Sequence, residues 1–379
     1  MINCKFFYEK LNEVGIDFYT GVPDSLLKDI CAYISDNSEN ERNIIAANEG
    51  GAIGLAIGYF MATSKIPLVY MQNSGFGNTI NPLLSLADPK VYGIPMLLMV
   101  GWRGEPNVKD EPQHIKQGEI SEELLITMGI PYKIISAETS DLVSILSDAH
   151  KLMLKDKTPF VLLVKKGTFK QYKLVNEKVT KYDFSRESAI KMIIDSIEKD
   201  AIVISTTGKT SREVYEYREE TESGHSNDFL TVGGMGHANQ IALGIAIIKS
   251  KRTVYCLDGD GAVLMHTGSM GIIGNLGPKN LKHIILNNGA HDSVGGQPTI
   301  GFEVNFRKIA EAFNYNKTFK IEKISDFETT FESFQNAEGP CLLEILVNKG
   351  ARNNLGRPKI TPAQNKNNLI KFIQDTNLR

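Results

Sequence analysis

Short apolar runs rich in β-branched residues alternate with longer amphipathic stretches along the first half of the chain. Such runs are typical of strands buried on both faces, and the amphipathic stretches are typical of helices. We therefore predict a parallel sheet covered by helices on both sides. The predicted strands are Ile16–Tyr19, Asn43–Ala46, Pro67–Met71, Pro95–Val100, Pro131–Ile135 and Pro159–Val164, and the predicted helices include Ser25–Tyr33, Glu49–Thr63 and Ser140–Lys155.

The same alternation resumes after a polar, lysine-rich segment without clear periodicity, residues 165–182. We place a linker there, between a first domain of residues 1–164 and a second of residues 183–379. The sequence thus predicts an α/β protein with two doubly wound parallel-sheet domains. The second set of strands is Ala201–Ser205, Phe229–Val232, Thr253–Leu257, His283–Leu286, Thr318–Ile321 and Cys341–Val347, with helices such as Arg186–Ile197 and Ala238–Lys249.

Charge and composition narrow the range of partners. A formal net charge of −2 gives no field that would gather nucleic acid or an anionic membrane. The N-terminus has no apolar signal segment, and no uncharged apolar run reaches the length of about 18 residues that a membrane span needs. The four cysteines are far apart and form no CxxC pair, which disfavours zinc and a disulfide framework. We expect a cytoplasmic protein with a small-molecule partner.

Two predicted strands end in oxygen-bearing residues. Thr253–Leu257 runs into Asp258-Gly259-Asp260-Gly261, and after 25 further residues His283–Leu286 runs into Asn287-Asn288. The Asp260 carboxylate, the Asn288 amide oxygen and the Ala290 carbonyl form an all-oxygen set that suits Mg²⁺ or Ca²⁺. Gly259 and Gly261 would let phosphate oxygens approach the backbone, and a helix starting near Ala262 would add N–H donors.

Two competing phosphate motifs fail on inspection. Gly208-Lys209-Thr210-Ser211 resembles the end of a P-loop, but the earlier glycine that this motif requires is replaced by Val203. The segment from Gly234 to Asn239 lacks the third small residue of a dinucleotide fingerprint. Neither a nucleoside triphosphate nor a nicotinamide site is predicted.

The Gly-Asp-Gly turn followed at this distance by Asn-Asn resembles the fingerprint of the thiamine-diphosphate enzyme family. The resemblance implies thiamine diphosphate and Mg²⁺ as cofactors. It also assigns Glu49, at the start of a small-residue helix, to the acid that protonates the aminopyrimidine ring, because Asn48–Tyr59 is similar to the matching family segment. Met235, between Gly234 and Gly236, resembles the bulky residue over which the family bends the cofactor. Alternatively, Glu49 only favours a helix N-terminus and Met235 only fills the core.

The chain has no room for the third domain of the larger thiamine decarboxylases. In this it is similar to the compact phosphonopyruvate and sulfopyruvate decarboxylases, and segments spread over nearly the whole chain resemble this branch. The resemblance implies a small anionic 2-keto acid substrate, most simply 3-phosphonopyruvate. It also implies a homo-oligomer, at least a dimer, with active sites between subunits. The resembling segments are 20–27, 72–78, 101–104, 110–114, 233–238 and 350–358.

Several polar residues in predicted strand-end loops are candidates for the chemistry. Asp24 and His114 are the first candidates for proton transfer and substrate positioning, although Asp24 could instead cap a helix and His114 could be solvated. Planar guanidinium groups suit a phosphonate, and the first candidates are Arg352 and Arg357, with Lys209 or Arg103 as alternatives. Secondary candidates are Glu213 and Asp258 for catalysis, Asn73 for the cofactor, and Ser74 and Asn78 for the substrate.

Two rival functions stay open at this point. One is another use of the same cofactor, as a sulfopyruvate decarboxylase, another 2-keto acid decarboxylase or a carboligase. The other is an inactive cofactor-binding regulatory subunit, against which the presence of Glu49 argues. The polar segment 101–118, with Pro106 and Pro112, is expected to be a loop that could close over the substrate.

Overall fold

Six parallel strands form the centre of the first of two units, Met1–Glu177. The computed structural model describes residues 1–176 and 179–374. The strands are β1 (Tyr19–Gly21), β2 (Asn43–Ile45), β3 (Leu68–Gln72), β4 (Leu97–Gly101), β5 (Tyr132–Ile135) and β6 (Phe160–Val164). Their order in the sheet is β2-β1-β3-β4-β6-β5.

Helices cover both faces of this sheet because its central strands are apolar on both sides. Leu68 and Tyr70 of β3 pack into one buried apolar cluster, whereas Val69 and Met71 pack into another. Each fully buried side chain of this size contributes about 2 kcal/mol to stability. The helices are α1 (Cys4–Glu13), α2 (Lys28–Asn37), α3 (Glu49–Thr63), α4 (Phe76–Pro82), α5 (Pro112–Met128) and α6 (Leu142–Asp156).

The second unit, Lys178–Arg379, repeats this architecture. Its strands are β7 (Phe184–Ser185), β8 (Ile202–Ser205), β9 (Asp228–Leu230), β10 (Val254–Gly259), β11 (Leu281–Asn287), β12 (Lys317–Ile321) and β13 (Cys341–Asn348). They pair in parallel in the order β12-β13-β11-β10-β8-β9, and β7 pairs with β13. The helices are α7 (Arg186–Ser196), α8 (Lys209–Glu220), α9 (Ala238–Ile248), α10 (Asp260–Met265), α11 (Gly268–Leu276), α12 (Phe306–Ala312), α13 (Phe327–Asn336) and α14 (Pro362–Gln374).

The predicted fold class is confirmed: both units are parallel α/β sheets, and no middle domain stands between them within the described residues. Helix α3 has the predicted bounds. Asn48 caps its start by accepting a 2.8 Å hydrogen bond from the Gly51 N–H. Strands β10 and β11 are direct neighbours, with Gly259 paired to Leu286. The two oxygen-bearing strand ends therefore lie side by side.

Three local predictions are wrong, and the first is the strand Ile16–Tyr19, since β1 occupies Tyr19–Gly21. Segment 101–118 is not a continuous loop, because β4 extends to Gly101 and α5 begins at Pro112. A proline fits the first helical position, and the polar first turn of α5 concealed the helix. Helix α2 begins at Lys28 rather than Ser25, because Asp24 and Leu26 form a turn first. Among the described residues, none of the helices has the length and apolarity needed to span a membrane.

Candidate active site

Three neighbouring strands of the first unit end in polar residues. Asp24 follows β1, Asn73 and Ser74 follow β3, and Arg103 follows β4. Because β1, β3 and β4 are adjacent in a parallel sheet, these residues gather at one edge. In open sheets of this kind, ligands bind beyond that edge.

Asp24 is fully buried and is held by two donors. Its Oδ1 accepts a 2.6 Å hydrogen bond from Gln72 Nε2, and its Oδ2 accepts a 2.9 Å bond from the Leu26 N–H. Ser74 Oγ donates to Gln72 Oε1 at 2.8 Å. Burial raises the pKa of Asp24, and the bond from Gln72 opposes this rise. A side chain at Gly101 would not fit, since its Cβ would lie 2.1 Å from Asp24 Oδ2.

Glu49 is buried at the first position of α3 and faces the turn that follows β3. Asn78 Nδ2 donates a 2.7 Å hydrogen bond to Glu49 Oε2. The carboxyl group also packs close to Gly75, where a Cβ would lie 2.8 Å from Oε1. Asn78, predicted as a substrate ligand, thus contacts the proposed acid. The carboxyl group is oriented by the protein itself.

Asn73 and Arg103 brace the strand ends. Asn73 Nδ2 donates to the Arg103 carbonyl at 2.7 Å and to Ser121 Oγ at 3.0 Å, while its Oδ1 accepts from the Arg103 N–H at 3.2 Å. The Arg103 guanidinium forms a two-pronged ion pair with Asp110 and donates to Ser25 Oγ at 2.7 Å. This ion pair holds the pKa of Asp110 well below its usual range. Asn73, predicted as a cofactor ligand, uses its side-chain atoms to join β3, β4 and α5.

His114 lies in the first turn of α5, not in the loop where we predicted it. Burial, aided by the nearby Arg103 charge, lowers its pKa to about 4. The imidazole is therefore neutral at pH 7. Its buried Nδ1 forms no hydrogen bond with any residue that the structure describes. A neutral ring with an unused nitrogen suits an acceptor of a substrate or water proton.

In the second unit, Asp260 directly follows β10 and is buried. Thr299 Oγ1 donates to its Oδ2, and the Asn288 N–H lies 3.4 Å from its Oδ1. Burial raises the pKa of Asp260 to about 6, and the bond from Thr299 opposes the rise. Within residues 1–176 and 179–374, Asp260 has no salt-bridge partner, so a bound cation would neutralise it.

The loop after β11 completes the surroundings of Asp260. Asn288 is buried, and its Oδ1 accepts a 3.1 Å bond from the Ala290 N–H. Gly301 packs so closely that its Cβ would lie 2.4 Å from Asp260 Oδ2 and 2.7 Å from Asn287 Oδ1. The oxygen-rich loops that we predicted from two strand ends therefore meet here. Sequence reasoning missed Thr299 and Gly301, which return to this place from a later segment.

Met235 projects toward the same turn. Its terminal methyl group lies 3.3 Å from the place that a Cβ of Gly261 would take. The flanking Gly234 and Gly236 have φ values of 65° and 86°, which favour glycine. Met235 is only half-buried, so core filling alone does not explain it. Around Gly259 there is open space within 4 Å of a Cβ position, as far as the described residues show.

The secondary acids have partners of their own. Both carboxylate oxygens of Glu213 accept hydrogen bonds from Arg186, at 2.7 and 2.9 Å. Burial raises the pKa of Glu213, and the Arg186 charge opposes the rise. Asp258 is fully buried and accepts a 3.1 Å bond from the Gly259 N–H. Arg186, which sequence reasoning missed, also bonds Asp292 at 2.9 Å in the loop after Asn288.

The predicted phosphonate ligands lie at a surface groove beside α8. Arg352 Nε donates to both carboxylate oxygens of Glu187 at 3.1 Å, and its Nη2 pairs with Glu216. Arg357 lines the same groove. Lys209, the alternative, starts α8 at the end of β8 and lies 3.9 Å from Asp292. Burial lowers the pKa of Lys209. Arg352 would have to exchange its carboxylate partners to bind substrate.

Two family models match the chain. The N-terminal TPP binding domain of thiamine pyrophosphate enzymes matches residues 4–125, and the C-terminal TPP binding domain matches residues 206–345. Glu49 falls in the first match, and both Asp260 and Asn288 fall in the second. The two matches thus contain candidate residues of both units.

Full-length relatives give a finer comparison. The chain is 32% identical to the phosphonopyruvate decarboxylase of Streptomyces viridochromogenes, over 98% of this chain and 95% of that protein. It is 30% identical to the phosphonopyruvate decarboxylase of Streptomyces hygroscopicus, over 99% of this chain and 95% of that protein. Identity to the sulfopyruvate decarboxylase of Methanosarcina acetivorans is 26%, over 91% of each chain.

Proposed function

Because the chain belongs to the thiamine pyrophosphate enzymes that include the phosphonopyruvate decarboxylases, we propose that it converts 3-phosphonopyruvate to phosphonoacetaldehyde and CO₂. It is a carboxy-lyase that uses thiamine diphosphate and acts on a small 2-keto acid. The observation that carries the substrate proposal is similarity along nearly the whole chain at 32% and 30% identity to two phosphonopyruvate decarboxylases. Sulfopyruvate is the second candidate, since that decarboxylase matches at 26% over 91% of the chain.

Mg²⁺ fits the loops after β10 and β11. Asp260 is a buried carboxylate without a salt-bridge partner among the described residues, and the Asn288 amide adjoins it. Oxygen ligands of this kind suit a hard divalent ion. We propose Asp260, Asn288 and the Ala290 carbonyl as its ligands. The open space at Gly259 leaves room for the diphosphate, with Gly261, Ala262 and Gly234 as further contacts.

When bound, thiamine diphosphate would supply a nucleophilic carbon for the keto group and a cationic thiazolium ring to take up the electron pair that CO₂ leaves behind. The residues of this chain would then orient groups and move protons. Glu49, fixed by Asn78, would hold a proton at the aminopyrimidine ring, and Met235 would support the bend of the cofactor. Asp24, whose pKa is raised by burial, would give the proton that replaces CO₂ on the carbon, and neutral His114 would accept a hydrogen bond from the substrate.

The phosphonate needs a cation in a partly dry site. We propose Arg352 and Arg357, with Lys209 and Arg103 as alternatives because both stand at strand ends. Single substitution to alanine would identify the ligand through KM. Substitution of the true ligand should raise KM for 3-phosphonopyruvate far more than it changes KM for pyruvate, because pyruvate has no second anionic group. Equal effects on both substrates would remove that residue from the assignment.

We also propose a homodimer, at least, as the active unit. The exposed side of α3 carries no charge, although the helix begins at Glu49. Leu55 is 39% exposed and Met61 is 69% exposed. A second copy covering this face would bury apolar surface and bring its own residues close to Glu49. Light scattering during size exclusion should give at least twice the chain mass, and Leu55→Glu should lower both that mass and activity.

The substrate proposal is tested by initial rates with Mg²⁺ and thiamine diphosphate on 3-phosphonopyruvate, sulfopyruvate and pyruvate, with detection of the aldehyde. We expect the highest kcat/KM for 3-phosphonopyruvate. A higher value for sulfopyruvate would contradict the substrate proposal while leaving the enzyme class intact. Glu49→Gln should retain cofactor affinity by calorimetry but lose about 100-fold or more of kcat. Normal turnover in that variant would remove the proposed acid.

A further inference from the structure

Three potential metal ligands meet in the core of the second unit. Cys256 and Asp258 lie on the same face of β10, and His283 on β11 is paired in register with Cys256. All three side chains are fully buried. The thiol sulfur, a carboxylate oxygen and an imidazole nitrogen lie within 4.8 Å of one another. Cys256 packs among buried apolar side chains, so the buried polar groups of Asp258 and His283 beside it need an explanation.

The inner atoms of this group are unsatisfied. Asp258 Oδ2 and His283 Nε2 form no hydrogen bond with any part of the chain that the structure describes. They lie 3.4 Å apart. A charge-assisted hydrogen bond would be shorter, about 2.7–2.9 Å. Two ligands on a tetrahedral ion, with bonds of about 2.1 Å, stand about 3.4 Å apart. The separation therefore matches two metal ligands better than a hydrogen-bonded ion pair.

The outer atoms of the same side chains are held in place. Tyr315 Oη lies 3.2 Å from His283 Nδ1, and the Gly259 N–H donates to Asp258 Oδ1 at 3.1 Å. Metal-binding imidazoles and carboxylates usually have such partners on their far side. A bound ion would replace the proton of the buried Cys256 thiol.

We propose that Cys256, Asp258 and His283 bind one transition-metal ion of the zinc type. The mixed sulfur, nitrogen and oxygen donors differ from the all-oxygen set around Asp260 and suit a softer ion than Mg²⁺. The sequence disfavoured zinc because the cysteines form no CxxC pair. Cysteine spacing could not reveal this group, because its ligands come from two adjacent strands rather than from one motif. The ion would clamp β10 to β11, the strands that carry Asp260 and Asn288, and it would enter during folding because the site is closed.

The test is the metal content of the full-length protein made in minimal medium with Zn²⁺ or Co²⁺ and then dialysed against EDTA. We expect about one transition-metal ion per chain to be retained, whereas Mg²⁺ is lost. The cobalt form should show a near-ultraviolet thiolate-to-cobalt band. Asp260→Asn should keep this band, because it alters only the other site. Cys256→Ala should lose it, and Cys341→Ala, which removes another buried thiol of the same sheet, should keep it.

Folded wild-type protein that retains far less than one equivalent of metal and shows no thiolate band would overturn the proposal. A band that survives Cys256→Ala would overturn it equally. If Cys256→Ala does not fold, the wild-type metal content and band decide the question alone. These readouts use neither substrate nor thiamine diphosphate, so they do not depend on the proposed function.

Discussion

Glu49 in the first unit and Asp260 in the second are both buried acids at the first position of a helix, α3 and α10 respectively. Their hydrogen-bond partners differ. Glu49 receives a side-chain amide bond of 2.7 Å from Asn78. Asp260 has a hydroxyl from Thr299 and a long 3.4 Å approach from the Asn288 N–H. Burial raises the pKa of Asp260 to about 6. The first acid is oriented by neighbouring side chains, whereas the second still lacks a counter-charge.

Asp24 follows the pattern of Glu49, since the Gln72 amide bonds it at 2.6 Å. The first unit therefore orients Asp24 and Glu49 with neutral amides, which keep proton transfer available. The second unit instead buries a carboxylate at a cost that a divalent ion would offset. We therefore expect ligand binding to stabilise the second unit. In the first unit we expect little rearrangement, because Glu49 and Asp24 are already oriented. The following variants test this contrast.

The largest expected effect is that of Asp260→Asn. Removing the charged ligand should weaken Mg²⁺-dependent binding of thiamine diphosphate by at least about 100-fold. In metal-free buffer the same change should leave the melting temperature unchanged or higher, because it removes an unpaired buried charge. Calorimetric titration and thermal melts with and without Mg²⁺ measure both. If the variant melts lower than wild type in metal-free buffer, the buried charge of Asp260 does not destabilise the metal-free protein.

The pH dependence of stability gives the next effect. The folded-state pKa of Asp260, about 6, lies above its ordinary value of 3.8, so the folded state holds the proton over that range. Metal-free stability from Asp260 should therefore fall as pH rises from about 4 to about 6, by at most about 3 kcal/mol. Paired acids such as Asp110, whose pKa is lowered, act in the opposite direction. The measurement is thus the difference between wild type and Asp260→Asn in metal-free urea melts as the pH rises. Mg²⁺ and cofactor bound to wild type should abolish this fall in its stability.

Asn78→Ala tests the first unit. Without the amide, Glu49 can rotate away, and we expect kcat to fall about 20-fold with little change in substrate KM or melting temperature. The control is Asn81→Ala, an exposed asparagine on the same helix, which should be near wild type. A loss of cofactor affinity that accounts for the whole rate change would instead indicate that Asn78 contacts the cofactor directly.

The sequence predicted which elements carry the two acids, because those signals were local. Strands β3 and β4 are buried on both faces, so continuous apolar runs marked them. The helix predicted over Glu49–Thr63 has the same bounds as α3. Asp260 and Asn288 could be paired because each follows a strand, and those strands are neighbours.

The side chains that hold the acids escaped prediction because they depend on long-range folding. Gln72 reaches Asp24 across 48 residues of sequence, and Thr299 reaches Asp260 across 39. Neither lies in a motif with a fixed spacing, although a polar residue ending the apolar strand β3 was a usable signal for Gln72. The carboxylate partners of Arg352 were equally invisible, because Glu187 and Glu216 lie on separate helices.

The smallest effect expected is that of Thr299→Val, which removes a hydroxyl at nearly constant volume. Thr299 occupies one oxygen of Asp260, and the other lies near the Asn288 N–H. Losing an outer partner of this kind should weaken binding of Mn²⁺, used as a spectroscopic substitute for Mg²⁺, by about 10-fold. Thr299→Ser should restore it, since the hydroxyl is retained. Electron paramagnetic resonance of free Mn²⁺ gives both affinities. If Thr299→Val binds Mn²⁺ as tightly as wild type, Asp260 is oriented by its backbone surroundings alone. The contrast with Glu49 and Asp24, which side-chain amides hold, then becomes sharper.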